Sequence, residues 1–90
     1  MKGWYVYIIE CADGSLYTGI TTDVQRRERE HNDGKLGARY TRSRRPVRLV
    51  YSESQNSRST AAKREYAVKR MTLSAKRALI LAVEDKKDND

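Results

Sequence analysis

The chain has 90 residues, enough for one domain and a modest core that buries roughly 60–65% of the surface of the unfolded chain. Its 19 Lys and Arg outnumber 12 Asp and Glu for a net charge of +7, an electrostatic reason to meet nucleic acid that a merely soluble basic protein would share. Cys11 is the only cysteine, which excludes an internal disulfide or a Cys-based metal site and suits a reducing cytoplasm; the apolar run from Trp4 to Ile9 is too short for a signal-peptide core, and no stretch nears the roughly 20 apolar residues of a membrane span, so a membrane is excluded as partner.

In chain order, Trp4-Tyr5-Val6-Tyr7-Ile8-Ile9 is aromatic and β-branched on both faces, the pattern of a central strand covered on both sides. Asp13-Gly14 supplies turn chemistry, and Leu16-Tyr17-Thr18-Gly19-Ile20 is the return strand of a hairpin, with Gly19 marking a bulge or a close backbone approach. Thr22-Asp23-Val24-Gln25 has the form of a capping box, so a helix is expected from about Asp23 until Asn32-Asp33-Gly34. Val24 is its one apolar residue, and counting three, four and seven residues onward puts Arg27, Glu28 and His31 on the inward face. Polar groups on that stripe mean either a helix aimed at a site or one that packs only at its edges.

Lys35 to Pro46 is a Gly- and Arg-rich connection, read as a loop with room for one helical turn. Val47 to Tyr51 alternates as a strand, Ser52 to Ser59 is a polar linker, and helices are expected over Thr60 to Met71 and over Ala75 to Val83, the latter capped by Ser74. Glu84 to Asp90 is a charged run expected to fray. The expectation is an α+β fold, a small three-stranded antiparallel sheet flanked by helices in the order β-β-α-β-α-α, with one domain over 1–84 and a disordered tail over 85–90.

Several side chains suit phosphodiester chemistry. Tyr7 and Tyr17 are ten residues apart across a hairpin, which permits cross-strand pairing; as a mere aromatic pair they would contribute about 0.2–1 kcal/mol. Arg27 and His31 share a helical face, as a site would require, but Glu28 and Glu30 allow a plain ladder of surface charges there. Glu65 lies four residues after Ala61 and three before Val68, so its face also carries apolar groups. An inward carboxylate needs a partner, either a metal or an ion pair such as Lys69 one turn on.

Tyr5-Val6-Tyr7, Tyr17-Thr18-Gly19, Arg27 and Glu65 taken in order resemble the GIY-YIG nuclease domain. The resemblance covers nearly the whole chain and is closest to the small stand-alone bacterial, UPF0213-like members, through Tyr17 to Val24, Tyr40-Thr41-Arg42 and Arg64-Glu65-Tyr66. It implies a metal-dependent endonuclease acting on DNA. Tyr7 and Tyr17 would flank the attacking water, Arg27 would face the scissile phosphate, His31 would assist proton transfer, and Glu65 would hold one divalent metal, Mg²⁺ or Mn²⁺. The metal would act as a Lewis acid, and Arg27 could clamp two phosphate oxygens. Tyr5 stands where the family name has glycine, and Asn89 is too late in the chain to match the asparagine that often follows the glutamate helix. Lys35, Arg39, Arg42, Arg44 and Arg45 form the candidate phosphate-tracking cluster. The alternative reading is a nucleic-acid-binding module that keeps the fold with little or no catalysis; a third is an adaptor using the Ala75 to Val83 helix.

Overall fold

A computed structural model describes residues 3–33 and 36–88. Seven elements follow in order: β1 (Trp4–Glu10), β2 (Leu16–Thr21), α1 (Val24–Asp33), the short α2 (Arg39–Arg42), β3 (Arg48–Gln55), α3 (Arg58–Lys69) and α4 (Leu73–Asp88). The sheet is antiparallel in the order β2-β1-β3, so the strand apolar on both faces is the central one. Its alternation splits the core in two. Val6 and Ile8 pack with Ala61, Val68 and Ile80 of α3 and α4. Tyr7 and Ile9 pack on the other face with Cys11 and Val47, flanked by Tyr17, Val24 and Leu49.

The hairpin turns where Asp13-Gly14 predicts. Asp13 Oδ1 accepts from the Ser15 amide at 3.0 Å and its hydroxyl at 2.6 Å, while Gly14 takes φ +85°, a left-handed conformation that glycine adopts without steric cost. The first helix starts where expected, but its capping residue and the starts of the last two helices differ from expectation. Asp23, not Thr22, caps α1, its Oδ1 accepting from the Arg26 amide at 3.0 Å. Ser57 caps α3 in a reciprocal box with Thr60, and Thr72, not Ser74, receives the Ala75 amide at 3.1 Å. Asp, Ser and Thr all cap well, so rival candidates a residue or two apart are decided by where the chain leaves the sheet.

Two further boundaries move. The stretch read as a polar linker is largely strand: β3 continues to Gln55, paired with β1 from Trp4↔Gln55 through Tyr7↔Ser52. Glu53 in this half is tied to Arg64 of α3 at 3.0 Å and accepts from the Tyr51 hydroxyl at 2.7 Å. The last helix begins at Leu73 and its backbone runs through Asp88, so residues 85–88 continue the helix; Asn89 and Asp90 lie outside the described residues.

The polar helix α1 docks without an apolar stripe. Glu28 Oε2 accepts from the Leu49 amide at 2.6 Å, beside the irregularity where β3 slips register against Ile8 and Ile9. One turn later, Asn32 donates to the Val47 carbonyl at 3.0 Å and accepts from the Val47 amide at 2.7 Å. These two side chains bond the backbone at and just before the start of β3 much as a further strand would, while His31 beside them goes to the interior.

Candidate active site

Tyr7 is the centre of the polar cluster. Its Cα faces Gly19, not Tyr17, which lies opposite Ile9. The two tyrosines therefore share a face of the sheet and sit diagonally. This register explains Gly19: a Cβ there would lie 2.5 Å from Tyr7 Oη and 2.7 Å from Cζ, so the phenol rests directly on the glycine backbone. Only a residue without a side chain lets the ring cross at that height.

The Tyr7 hydroxyl lies 2.9 Å from His31 Nε2, and His31 Nδ1 lies 2.9 Å from Thr41 Oγ1. His31 and Thr41 are both 0% exposed and Tyr7 only 2%. Tyr17 meets the imidazole edge-on, centroids 5.3 Å apart, and stacks against Tyr40 at 6.0 Å. The Arg44 guanidinium sits 3.9 Å from the centre of the Tyr40 ring. An aromatic wall thus runs from the buried histidine out to the partly buried Arg44.

Burial sets the protonation of the pair. It drives the Tyr7 phenol up to about 12 against the opposing pull of the Arg27 cation; Tyr17 and Glu65 add smaller upward pushes. Burial also lowers His31 to about 4, helped by the Arg27 and Arg45 charges and opposed by Glu30. Both groups are neutral near pH 7, a phenol beside an imidazole. Burial works against the Arg27 charge too, but bonds to Glu30 and Tyr7 outweigh it and hold its pKa above the usual value.

Each expected site residue has a place. Tyr17, Arg27, His31 and Glu65 each act on the Tyr7 hydroxyl, His31 and Arg27 by hydrogen bonding and Tyr17 and Glu65 through the field they exert there. Arg27 Nη1 also donates to Glu30 at 3.0 Å and to the Leu36 carbonyl at 2.6 Å, so the charge ladder and the inward-facing arginine are the same residue. Glu65, on the helix across the sheet, is half-buried and pairs with Lys69 at 3.5 Å. For Glu65 the structure shows the ion-pair alternative, and Arg27 takes its place in the charge ladder while also bonding Tyr7.

The basic cluster divides. Arg39 and Arg42 are exposed on α2. Arg44 binds Asp13 at 3.1 Å and the Tyr40 carbonyl at 2.8 Å, and Arg45 donates to the His31 carbonyl at 2.6 Å. The last two therefore brace the loop against the hairpin and the end of α1. Lys35 lies outside the described residues. Thr41 and Asn32 are the partners that sequence reasoning missed; the buried histidine's need for a second hydrogen bond was the available signal.

A three-stranded sheet with a tyrosine hairpin feeding a polar helix defines the class, and comparison with known proteins gives the same class. The profile of the GIY-YIG catalytic domain matches residues 3–78, and the chain belongs to the GIY-YIG family. Within that family it is similar to UPF0213 proteins. It is 60% identical over 81 residues to UPF0213 protein DP2720 of Desulfotalea psychrophila, covering 90% of this chain and 74% of the relative. It is 56% identical over 75 residues to UPF0213 protein VNG_2274C of Halobacterium salinarum, covering 83% and 96%. The solution NMR structure of the UPF0213 protein BH0048 from Bacillus halodurans matches with TM-score 0.57 and 49% identity over 89% of this chain and 84% of that one. The protein EF2693 from E. faecalis, also solved by NMR, matches with TM-score 0.62 and 40% identity over 93% and 88%.

Proposed function

We propose that the chain is a metal-dependent endonuclease hydrolysing phosphodiester bonds of DNA. The observation that carries this reading is the gathering of Tyr17, Arg27 and His31 around Tyr7, with the Glu65 charge also felt at its hydroxyl. A phenol, an imidazole, a guanidinium and a carboxylate together supply proton transfer, charge stabilisation and a hard oxygen ligand.

The Tyr7 hydroxyl and His31 Nε2, 2.9 Å apart, supply a proton path. Burial disfavours both the phenolate and the imidazolium. The path that keeps Tyr7 neutral passes the proton through it to His31. A water O–H bond breaks as its proton joins Tyr7 Oη, the proton already on Oη moves to His31 Nε2, and the hydroxide bonds to phosphorus as the ester P–O bond breaks. The leaving oxygen takes a proton from solvent, and His31 afterwards returns its own. Arg27 stands ready to hold the phosphate oxygens as charge grows on them.

Among the described residues no three His, Cys, Asp or Glu side chains gather as a metal site. Glu65 is a lone carboxylate, half-buried, within electrostatic reach of Tyr7. That donor set fits Mg²⁺, which keeps most of its waters and needs one or two carboxylates plus substrate oxygens. When bound at Glu65, such an ion supplies Lewis-acid polarisation of the phosphate.

The test is cleavage of labelled duplex, flap, junction and single-stranded DNA and RNA with Mg²⁺, Mn²⁺ or EDTA. The expected result is metal-dependent cutting of DNA that falls at least 100-fold in Glu65→Ala and Arg27→Ala, in line with the loss of a charge-stabilising group. Equal cutting in EDTA would overturn the reading. The binding-module alternative draws on the neutral, sealed Tyr7–His31 pair; it expects salt-sensitive binding without cutting, unchanged in both variants.

A further inference from the structure

We propose that Thr41 is a positioning residue of this site: its hydroxyl fixes His31 in the Nδ1–H form and so leaves the Nε2 lone pair aimed at the Tyr7 hydroxyl. The consequence for turnover rests on the nuclease reading above, whereas the tautomer itself does not.

The argument is a count of protons. A threonine hydroxyl has one hydrogen. Thr41 Oγ1 donates it to the Ala38 carbonyl at 2.9 Å, so the same oxygen faces His31 Nδ1, also at 2.9 Å, as an acceptor. A neutral imidazole has one N–H, and here it belongs on Nδ1. Nε2 is then the acceptor for the Tyr7 phenol at 2.9 Å. The opposing contact is the Ala38 amide, 3.4 Å from Nδ1, a long separation for a hydrogen bond beside the two shorter ones. When Nε2 takes the relayed proton, Thr41 is already accepting from the Nδ1–H of the resulting imidazolium. It thus plays a neutral version of the part that a carboxylate plays in a serine-protease triad.

Thr41 is held for this task from both sides. Arg45 donates to the His31 carbonyl at 2.6 Å, and the Ala12 amide donates to the Arg44 carbonyl at 2.9 Å, pinning the loop after α2 to α1 and to the hairpin turn. The groups facing the imidazole are Tyr7 from β1, Tyr17 from β2, Arg27 and Glu30 from α1 and Arg45 from the loop. Among these, no carboxylate hydrogen-bonds Nδ1, and the hydroxyl at that nitrogen is Thr41's.

His31 is the only histidine, so ¹⁵N labelling of imidazole nitrogens gives the signal of one ring. At pH 7 the wild type is expected to show a protonated Nδ1 and an unprotonated Nε2. Thr41→Val keeps the shape but removes the acceptor and leaves the Ala38 amide facing Nδ1; its ring should switch to the Nε2–H form. Thr41→Ser should retain the wild-type pattern. In cleavage assays kcat of Thr41→Val should fall on the order of 100-fold with KM little changed, the scale of general acid–base assistance, and Thr41→Ser should restore it. An Nε2–H wild type, an unswitched Thr41→Val, or a switched ring with unchanged kcat would each overturn the proposal. Should Thr41→Val not fold, the wild-type spectrum decides alone. Should no variant or wild type cut any substrate, the nuclease reading fails while the tautomer result stands separately.

Discussion

Gly19→Ala is the substitution with the clearest structural cost. The added methyl would sit 2.5 Å from Tyr7 Oη, 2.7 Å from Cζ and 3.0 Å from Cε1. The ring has little freedom to yield, being 2% exposed and bound to His31 at 2.9 Å. Overpacking of this kind costs about 1–3 kcal/mol, and loss of the Tyr7–His31 bond adds about 1 kcal/mol. The expected loss is thus about 2–4 kcal/mol, a large share of the stability of a small domain. Urea unfolding followed by circular dichroism measures it, and a double-mutant cycle locates it. Tyr7→Leu alone also destabilises, through the lost ring, but Gly19→Ala placed upon it should then cost little, for a coupling that approaches the full loss of about 2–4 kcal/mol. Tyr7→Phe should relieve the strain only in part, because Cζ remains 2.7 Å from the new methyl. If Gly19→Ala costs under about 0.5 kcal/mol, or if the Tyr7→Leu and Gly19→Ala costs simply add, the account of the glycine is wrong.

Two further predictions concern stability. His31 has its pKa lowered from 6.5 to about 4 by burial, so between these values the unfolded chain takes a proton that the folded chain refuses. Its contribution is intact above pH 6.5 and falls away toward pH 4; about 2 kcal/mol should be lost between pH 7 and pH 5. Unfolding at both pH values, compared with His31→Gln, isolates that slope, and an identical slope in the variant would exclude His31 as its source. Glu28→Ala leaves the Leu49 amide without its acceptor and Asn32→Ala strips Val47 of two bonds. Each should cost about 1–3 kcal/mol and raise hydrogen exchange at the corresponding amide, Leu49 or Val47; unchanged exchange there would show that α1 docks by other means.

The sequence carried the strand order of burial, the hairpin and the inward polar face of α1, because periodicity alone dictates them. It also carried the ordered set of family-motif residues that cluster as the candidate site. What it could not carry was register: a ten-residue spacing allows Tyr7 to face Tyr17, and only the turn geometry sets Tyr7 against Gly19 instead. The second half of β3 was hidden for a related reason. Ser52-Glu53-Ser54-Gln55 has little strand propensity of its own and becomes strand through pairing with β1 and the Glu53–Arg64 tie. Nor does a string of arginines announce what each will bind; Arg44 and Arg45 look like their neighbours until Asp13 and the His31 carbonyl are brought beside them.

The docking of α1 onto β3 has a consequence beyond the site. β3 is an outer strand, and outer strands invite another chain to add itself by backbone pairing. Glu28 already occupies the Leu49 amide, and Asn32 both backbone groups of Val47, that an incoming strand would need at the start of this edge. The helix that carries Arg27 and His31 to Tyr7 therefore also closes the leading end of this border to an added strand.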